Sequence, residues 1–545
     1  MIIIVGLIRM SFFFHQFKNY INRDSLSDWF NRVYQDSDIY TKDTPNEFQK
    51  ELQKKKLIYK HEFINNFKDE QFFYEELNHK EIIQKIRLSE ECIIYNGNLY
   101  HSRYKVFVKP DLIIHRTLFL KYFPGIKIEL PEYIVIDILY KILHFNSDKT
   151  DLLNQGNIYY HKCKMFIASD SIGIKNRGFF FGKEYRHKNI SLCKKQTIGY
   201  FPFLTEYKES IRESIQWLQK LEKNYKEWLI VPKPSVQELY PNMNRKDGEW
   251  TEEKKHLAEI IKEITLVWNI SYNKRCMLLD RGILTWDDPI LLSNVYPYKV
   301  RENHRELIQE KIIHINSQDK IMIEPRRIKN YDFIQIIKNQ KDSIVLDIES
   351  VIQLEEKDSY FLEKDKLDIP KICIIGTIIN DKEYIFKDFT IRSLSNEEEE
   401  KIINYWLIFL RRKFTGKIKI YHWGNAEKIY IDYMKTKYPN LNYPEFELID
   451  LLYYFKLEPI NIKGCFGYGL KEIVKQLYNL KLIENQWEDN TDGLDAMVQI
   501  LKTSEAAENK NIPIKRFEEI KRIIYYNYMD CRVIINILKM LERMI

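Results

Sequence analysis

The sequence predicts an α/β protein of two or three domains. Three observations carry this: 545 residues are too many for one hydrophobic core, apolar strand-like runs alternate with amphipathic helices, and glycine and proline are sparse. The composition, 45% hydrophobic and 30% charged, is that of a folded globular chain. A net charge of +7 is mild for this length, so a surface for a polyanion has to come from local clusters. The seven cysteines are scattered without a C-x-x-C pair, which speaks for reduced thiols in a cytoplasmic setting and against a zinc or iron–sulfur site. The start, MIIIVGLIRMSFFF, is apolar but short and interrupted by Arg9, so no membrane span or signal peptide is expected.

Residues 1–40 form an N-terminal extension, and a first domain is expected over 41–200. Helical patterning fills 46–90. Cys92 to Tyr95 and Arg103 to Val108 then read as strands, with Asn96-Gly97 as a hairpin turn between them. Two further apolar strands carry acids, one at Asp111 and one running from Glu132 through Asp137 to Lys141. A basic stretch holding Arg177, Lys183, Arg186 and Lys188 is interleaved with aromatics, a composition suited to phosphates and bases and equally to a solvated charged face. Residues 201–335 read as a helical connector without a catalytic cluster.

The third segment, 336–545, opens on SIVLDIES at 343–350, an apolar strand in which Asp347 and Glu349 share one face, roughly 7 Å apart. Two acids on one face of an apolar strand repel each other and lose hydration, and a divalent metal is the usual compensation. A hairpin around Asn380-Asp381-Lys382 follows, then Ser395-x-x-Glu398 as a capping box for a helix that buries Ile403, Trp406, Leu407 and Leu410. Next come a strand ending at His422, a helix carrying Glu427, a strand ending at Asp450, and a late helix on which Tyr526 and Asp530 project from one face.

These patterns resemble two known families. In the first domain the order of Glu62 in a helix, Asp111 in a strand and Asp137-x-x-x-Lys141 in the next resembles the PD-(D/E)xK nucleases. The likeness is to their RecB, lambda-exonuclease and CRISPR-associated RecB-like branch and its giant-virus relatives. It implies a restriction-endonuclease-like fold, with Glu62, Asp111 and Asp137 as ligands of Mg²⁺ or Mn²⁺. The lysine of that pattern falls on Leu139 here, so Lys141 or Lys164 is the candidate substitute. The third segment looks like a ribonuclease-H-like DEDD-type 3′–5′ exonuclease domain. That resemblance implies Asp347, Glu349, Glu427 and Asp530 as ligands of two metal ions, with Tyr526 orienting the attacking water. Glu427 departs from the aspartate usual at its place. The segments Gly469-Leu-Lys471 and 492–496 also resemble that domain, and Asp450 is a candidate fifth acid.

The function expected from both resemblances is metal-dependent hydrolysis of phosphodiester bonds in DNA, single- or double-stranded, for processing, repair or defence. Lys164, Arg177, Lys183, Arg186 and Lys188 are expected to contact nucleic acid, and a helicase or a second copy of the chain is a candidate partner. The competing readings are a nucleic-acid-binding scaffold with decayed sites, suggested by Leu139 and Glu427, and an exoribonuclease.

Overall fold

The computed structural model describes residues 11–34, 42–188, 190–194, 196–245, 248–289, 304–352, 370–380, 384–487 and 493–545. The apolar start at 1–10, the turn residues Asp381 and Lys382, and Asp492 lie outside these. The chain is mixed α/β and divides into two compact units, one built mainly on Gln49–Leu257 and the other on Ala258–Leu354 with Leu367–Ile545. No helix among the described residues is long and apolar enough to cross a membrane.

In the first unit, helix α1 (Glu47–Asn65) precedes strands β1 (Phe73–Glu75), β2 (Ile93–Tyr95), β3 (Leu112–His115) and β4 (Tyr133–His144). Helix α2 (Ile158–Asp170), strands β5 (Arg177–His187), β6 (Ile190–Leu192) and β7 (Gly199–Pro202), and helix α3 (Thr205–Asn224) follow. The sheet runs β7-β5-β4-β3-β2-β1, with β6 added beside β5. Strands β4 and β5 are parallel, whereas β3 is antiparallel to β4. Alternation along β4 sends Ile134, Ile136 and Ile138 toward Tyr59 and Phe63 of α1, and Val135, Leu139 and Leu143 toward Cys163 and Ile167 of α2. Asp137 falls in the second set, which places it under α2.

The expected Asn96-Gly97 hairpin is not formed. Ile93–Tyr95 pairs with β3 and β1, while Leu99–His101 pairs with Val106–Val108 in a separate small sheet. Asn96 does adopt the left-handed conformation (φ 54°), but the chain there passes so close to the helix His79–Arg87 that a Cβ on Gly97 would lie 2.8 Å from Ile82 Cδ1. Glycine serves a close approach here, and the strands part company after it.

In the second unit the strands are β8 (Ser343–Ile352), β9 (Pro370–Ile379), β10 (Phe386–Thr390), β11 (Ile418–His422) and β12 (Phe446–Asp450). The helices that concern the site are α4 (Asn396–Lys413), α5 (Ala426–Lys437), α6 (Leu470–Asn479), α7 (Gly493–Lys510) and α8 (Glu518–Glu542). The sheet order is β10-β9-β8-β11-β12, with β9 antiparallel to both its neighbours and β8, β11 and β12 parallel. Ser395 caps α4 by accepting from the Glu398 amide, and Ile403, Trp406, Leu407 and Leu410 are buried, as the spacing predicts. On β8, Leu346 and Ile348 pack with the core under α4 and α5, while Val345 joins Met529 and Val533 of α8. By parity Asp347 and Glu349 belong to the α8 side.

The segment 201–335 does not stand apart as a connector. Tyr207 and Ile211 of α3 sit in the core of the first unit, whereas Ile308, Ile312, Ile313, Ile328 and Phe333 share one cluster with Leu451, Phe455 and Leu538. A fragment cut at 335 therefore leaves those second-unit partners uncovered. We expect a fragment of residues 258–545 to show cooperative thermal unfolding and one of 335–545 to bind ANS without it; equal cooperativity in both would contradict this core assignment.

Candidate metal centre

Asp347, Glu349 and Asp530 each offer a carboxylate oxygen, and these oxygens all lie within 4.8 Å of one another. The sheet brings up the first two and α8 brings the third. The packing that permits this is specific. Asp347 faces Gly376 across the β8–β9 pair, and Asn527 of α8 lies over that glycine, where a Cβ would fall 1.5 Å from Asn527 Oδ1. Asn527 is fully buried, and its Nδ2 donates to Asp347 Oδ2 at 2.5 Å. Trp487 Nε1 donates to Asp530 Oδ1 at 3.0 Å, and Lys471 of α6 stands 5.1 Å from the centre of the Tyr526 ring. Replacing Gly376 by Ala should displace Asn527 and lower stability by about 1–3 kcal/mol in urea denaturation. An unchanged midpoint would show that α8 does not press on this position.

The electrostatics are those of acids with too little positive charge. Burial, then repulsion from Asp530, Glu349 and Glu427, lifts Asp347 well above the carboxylate range. Burial and the neighbouring Asp530 and Glu427 push Glu349 up to about 8, with Lys471 acting against them. Asp530 is raised to about 7, chiefly by burial, against the pull of Lys471, Tyr526 and Trp487. The Tyr526 phenol is pushed upward by burial and by Asp530, so it stays protonated at neutral pH. Glu427 stands outside the close trio, 3.5 Å from His422 Nδ1 through Oε2. Both residues are buried, and neither His422 ring nitrogen nor Glu427 Oε2 has a hydrogen-bond partner. Carboxylates held together at this density, with orphaned buried donor atoms alongside, suit an oxygen-seeking dication. Asp450 does not join them. Its Oδ1 accepts from the amides of Gly424 and Leu452, closing a turn and capping the helix Leu451–Leu457.

The first unit arranges its acids differently. Asp111 Oδ1 meets Lys60 Nζ at 2.6 Å and its Oδ2 accepts from the Ile138 amide at 2.8 Å. Asp137 Oδ1 meets Lys164 Nζ at 2.7 Å, and its Oδ2 meets His161 Nδ1 at 3.1 Å. Burial pushes Asp137 upward, but Lys164 and His161 outweigh it and hold the acid well below the usual carboxylate range. Glu62 is exposed on α1, and the residue of that helix that meets Asp111 is Lys60, two positions earlier. Lys141 does not replace the missing lysine at Asp137 directly. Its Nζ bonds Asn157 Oδ1, Asn157 Nδ2 bonds His161 Nε2, and His161 Nδ1 meets Asp137. Leu139 is buried in the core.

The basic–aromatic stretch is not a stacking surface. Phe179, Phe180, Phe181 and Tyr185 are sheet core, Arg186 is paired with Glu184, and Lys183 and Arg177 lie over Tyr140 and Tyr200. Lys188 is exposed, and Lys164 is turned inward. The residues that sequence reasoning left without a role are Lys60, His161, Gly376, His422, Lys471, Trp487 and Asn527. The local signals among them were the segment Gly469-Leu-Lys471 and an asparagine between Tyr526 and Asp530. No family model matches the chain, and no curated protein matches it.

Proposed function

We propose that the second unit is a metal-dependent phosphodiester hydrolase acting on nucleic acid, of the ribonuclease-H-like DEDD type, with DNA as the preferred polymer. The observation that carries this reading is the trio of Asp347, Glu349 and Asp530, Glu349 buried and the other two half-buried, mutually repelling, with Glu427 close enough to raise all three. The sheet order, with its second strand antiparallel and the acids on its central strand, supports the same assignment. The residues that would hold Mg²⁺ or Mn²⁺ are Asp347, Glu349 and Asp530, with Glu427 completing the set. A bound dication supplies the charge that lets these acids ionise together and that polarises water and phosphate.

The protein's own groups do the rest. Asn527 fixes the rotamer of Asp347, and Trp487 and Tyr526 fix Asp530. Tyr526, protonated, serves as a hydrogen-bond donor and orients water; it is not a base. Lys471 adds positive charge beside the Tyr526 ring, where a phosphate of the polymer would be drawn. The test is cleavage of end-labelled single- and double-stranded DNA, and of RNA, by the purified chain in Mg²⁺ or Mn²⁺ against EDTA. Metal-independent cleavage after dialysis, or none on any polymer, would refute the reading, and faster cleavage of RNA would transfer it to an exoribonuclease.

A pH dependence follows. In the unfolded chain these carboxyls titrate near 3.8 and 4.5, and in the fold Glu349 does so at about 8 and Asp530 at about 7. A raised carboxyl pKa means that the fold prefers the proton, so metal-free stability falls as the pH climbs from the unfolded range through these values. A dication needs the ionised forms and stabilises only the fold. The rise in Tm on adding Mn²⁺ should therefore be larger at about pH 8.5 than at about pH 6. A larger rise at the lower pH would contradict it in differential scanning fluorimetry.

A further inference from the structure

The acids of the first unit fail the test that the second unit's acids pass. A dication binds where negative charge lacks compensation, and around Asp111 and Asp137 the compensation is covalently part of the chain. Lys60 and Lys164 supply one positive charge each to two carboxylates, and His161 and two backbone amides occupy the oxygens further. The count of formal charge is zero with His161 neutral. The hydrogen bonds also agree on that tautomer: Asn157 Nδ2 donates to Nε2, leaving the proton on Nδ1 for Asp137. The third acid that would make a ligand set, Glu62, is exposed on α1. In the second unit Lys471 is the positive charge that lowers Glu349 and Asp530, and repulsion from neighbouring acids together with burial still holds both of them above the usual carboxylate range.

We infer that Lys60 and Lys164 stand in the place of a divalent cation in the first unit, so that this acid pair is a lysine-neutralised site that takes up no metal. Two ammonium groups held within 2.7 Å of the carboxylates provide the same attraction as a small cation, without the dehydration that Mg²⁺ resists. The assignment does not depend on the function proposed for the second unit. It changes what mutations in the first unit mean, because Asp111 and Asp137 then act through packing and ion pairing, and any cleavage by the chain belongs elsewhere.

The experiment counts bound Mn²⁺ per chain from the loss of the free-ion paramagnetic resonance signal, using the full-length protein. The trio is first neutralised as Asp347→Asn/Glu349→Gln/Asp530→Asn, so that only the first unit can respond. That chain should bind no Mn²⁺, and adding Lys164→Gln should create one site, which Asp137→Asn removes again. A gain of binding on removing a lysine is an outcome that misfolding does not produce. Two results would overturn the inference: a Mn²⁺ site in the trio-neutralised chain that Asp137→Asn abolishes, or no gain with Lys164→Gln in a folded chain. Should Lys164→Gln fail to fold, the comparison of the trio-neutralised chain with and without Asp137→Asn decides the matter alone. A wild-type chain that binds no Mn²⁺ would sink the function proposed for the second unit and leave this inference standing.

Discussion

Asp347→Asn should lower the single-turnover rate of metal-dependent DNA cleavage by at least about two decades. Asp347 is the acid against which Asp530, Glu349 and Glu427 all press, and it is the one whose rotamer Asn527 fixes. Losing an interaction worth a few kcal/mol at the reacting centre removes about one decade of rate for each ~1.4 kcal/mol. Asparagine keeps the shape and the Asn527 contact while removing the charge, so the fold should survive. The metal-free variant should even melt at a higher temperature at about pH 8, since one of several repelling acids is gone. A variant that cleaves at the wild-type rate would remove Asp347 from the reaction. One that unfolds would make the loss of rate uninformative, and the melting curve is what tells the two apart.

Lys164→Met should destabilise the first unit by about 3–5 kcal/mol, because it strands a carboxylate buried to 1% exposure beside an apolar group. Burial opposes the charge on Lys164, yet Asp137 and then Asp111 outweigh it and hold the ammonium above its ordinary range, the signature of an ion pair that the fold relies on. The pairing of Asp137→Asn with Lys164→Met should recover most of the loss, since no unpaired charge then remains. Urea denaturation of the single and double variants reads both effects. A loss below about 1 kcal/mol for Lys164→Met would mean that water or another group reaches Asp137, and the lysine-neutralised account of this site would lose its main support.

The local signals in the sequence were strong where a pattern was repeated along one element. The alternation in 343–350 predicts a buried strand with Asp347 and Glu349 on one face, and the spacing of Tyr526 and Asp530 predicts a shared helix face; the structure brings Asp347, Glu349 and Asp530 together. The capping box at Ser395 likewise needs only four consecutive residues to be read. What the sequence could not carry was the pairing of elements far apart in the chain. Gly376 is legible as a required glycine only once Asn527, on a helix about 150 residues later, is seen lying across it. Lys60 looked like one more cation on a charged helix until α1 was placed over β3 and β4. Glu62 is implied by the resemblance, which sets a helix acid beside the two strand acids, while the residue of that helix that meets Asp111 is the lysine two positions earlier.

The aromatics of the basic run at 177–188 were illegible for a related reason. Its composition fits a nucleic-acid surface, but a strand buried on both faces also demands large apolar side chains, and Phe179, Phe180 and Phe181 meet that demand. Composition alone does not separate the two uses. The domain division falls at Leu257/Ala258 and not at 335: no chemistry marks Ile308, Ile312, Ile313, Ile328 or Phe333 in the sequence, and their packing with Leu451, Phe455 and Leu538 is what assigns them to the second unit.

The measurement that bears most directly on the central claim is a calorimetric titration of Mn²⁺ into the wild-type chain and into Asp347→Asn at about pH 8, where the metal-free acids are partly protonated. A cation held by Asp347, Glu349 and Asp530 must displace the protons that burial has put on them, so the wild-type heat should also change with the ionisation enthalpy of the buffer. The account predicts saturable binding with that buffer dependence in the wild type and none in Asp347→Asn. Equal binding in both chains, or no binding in the wild type, would contradict it.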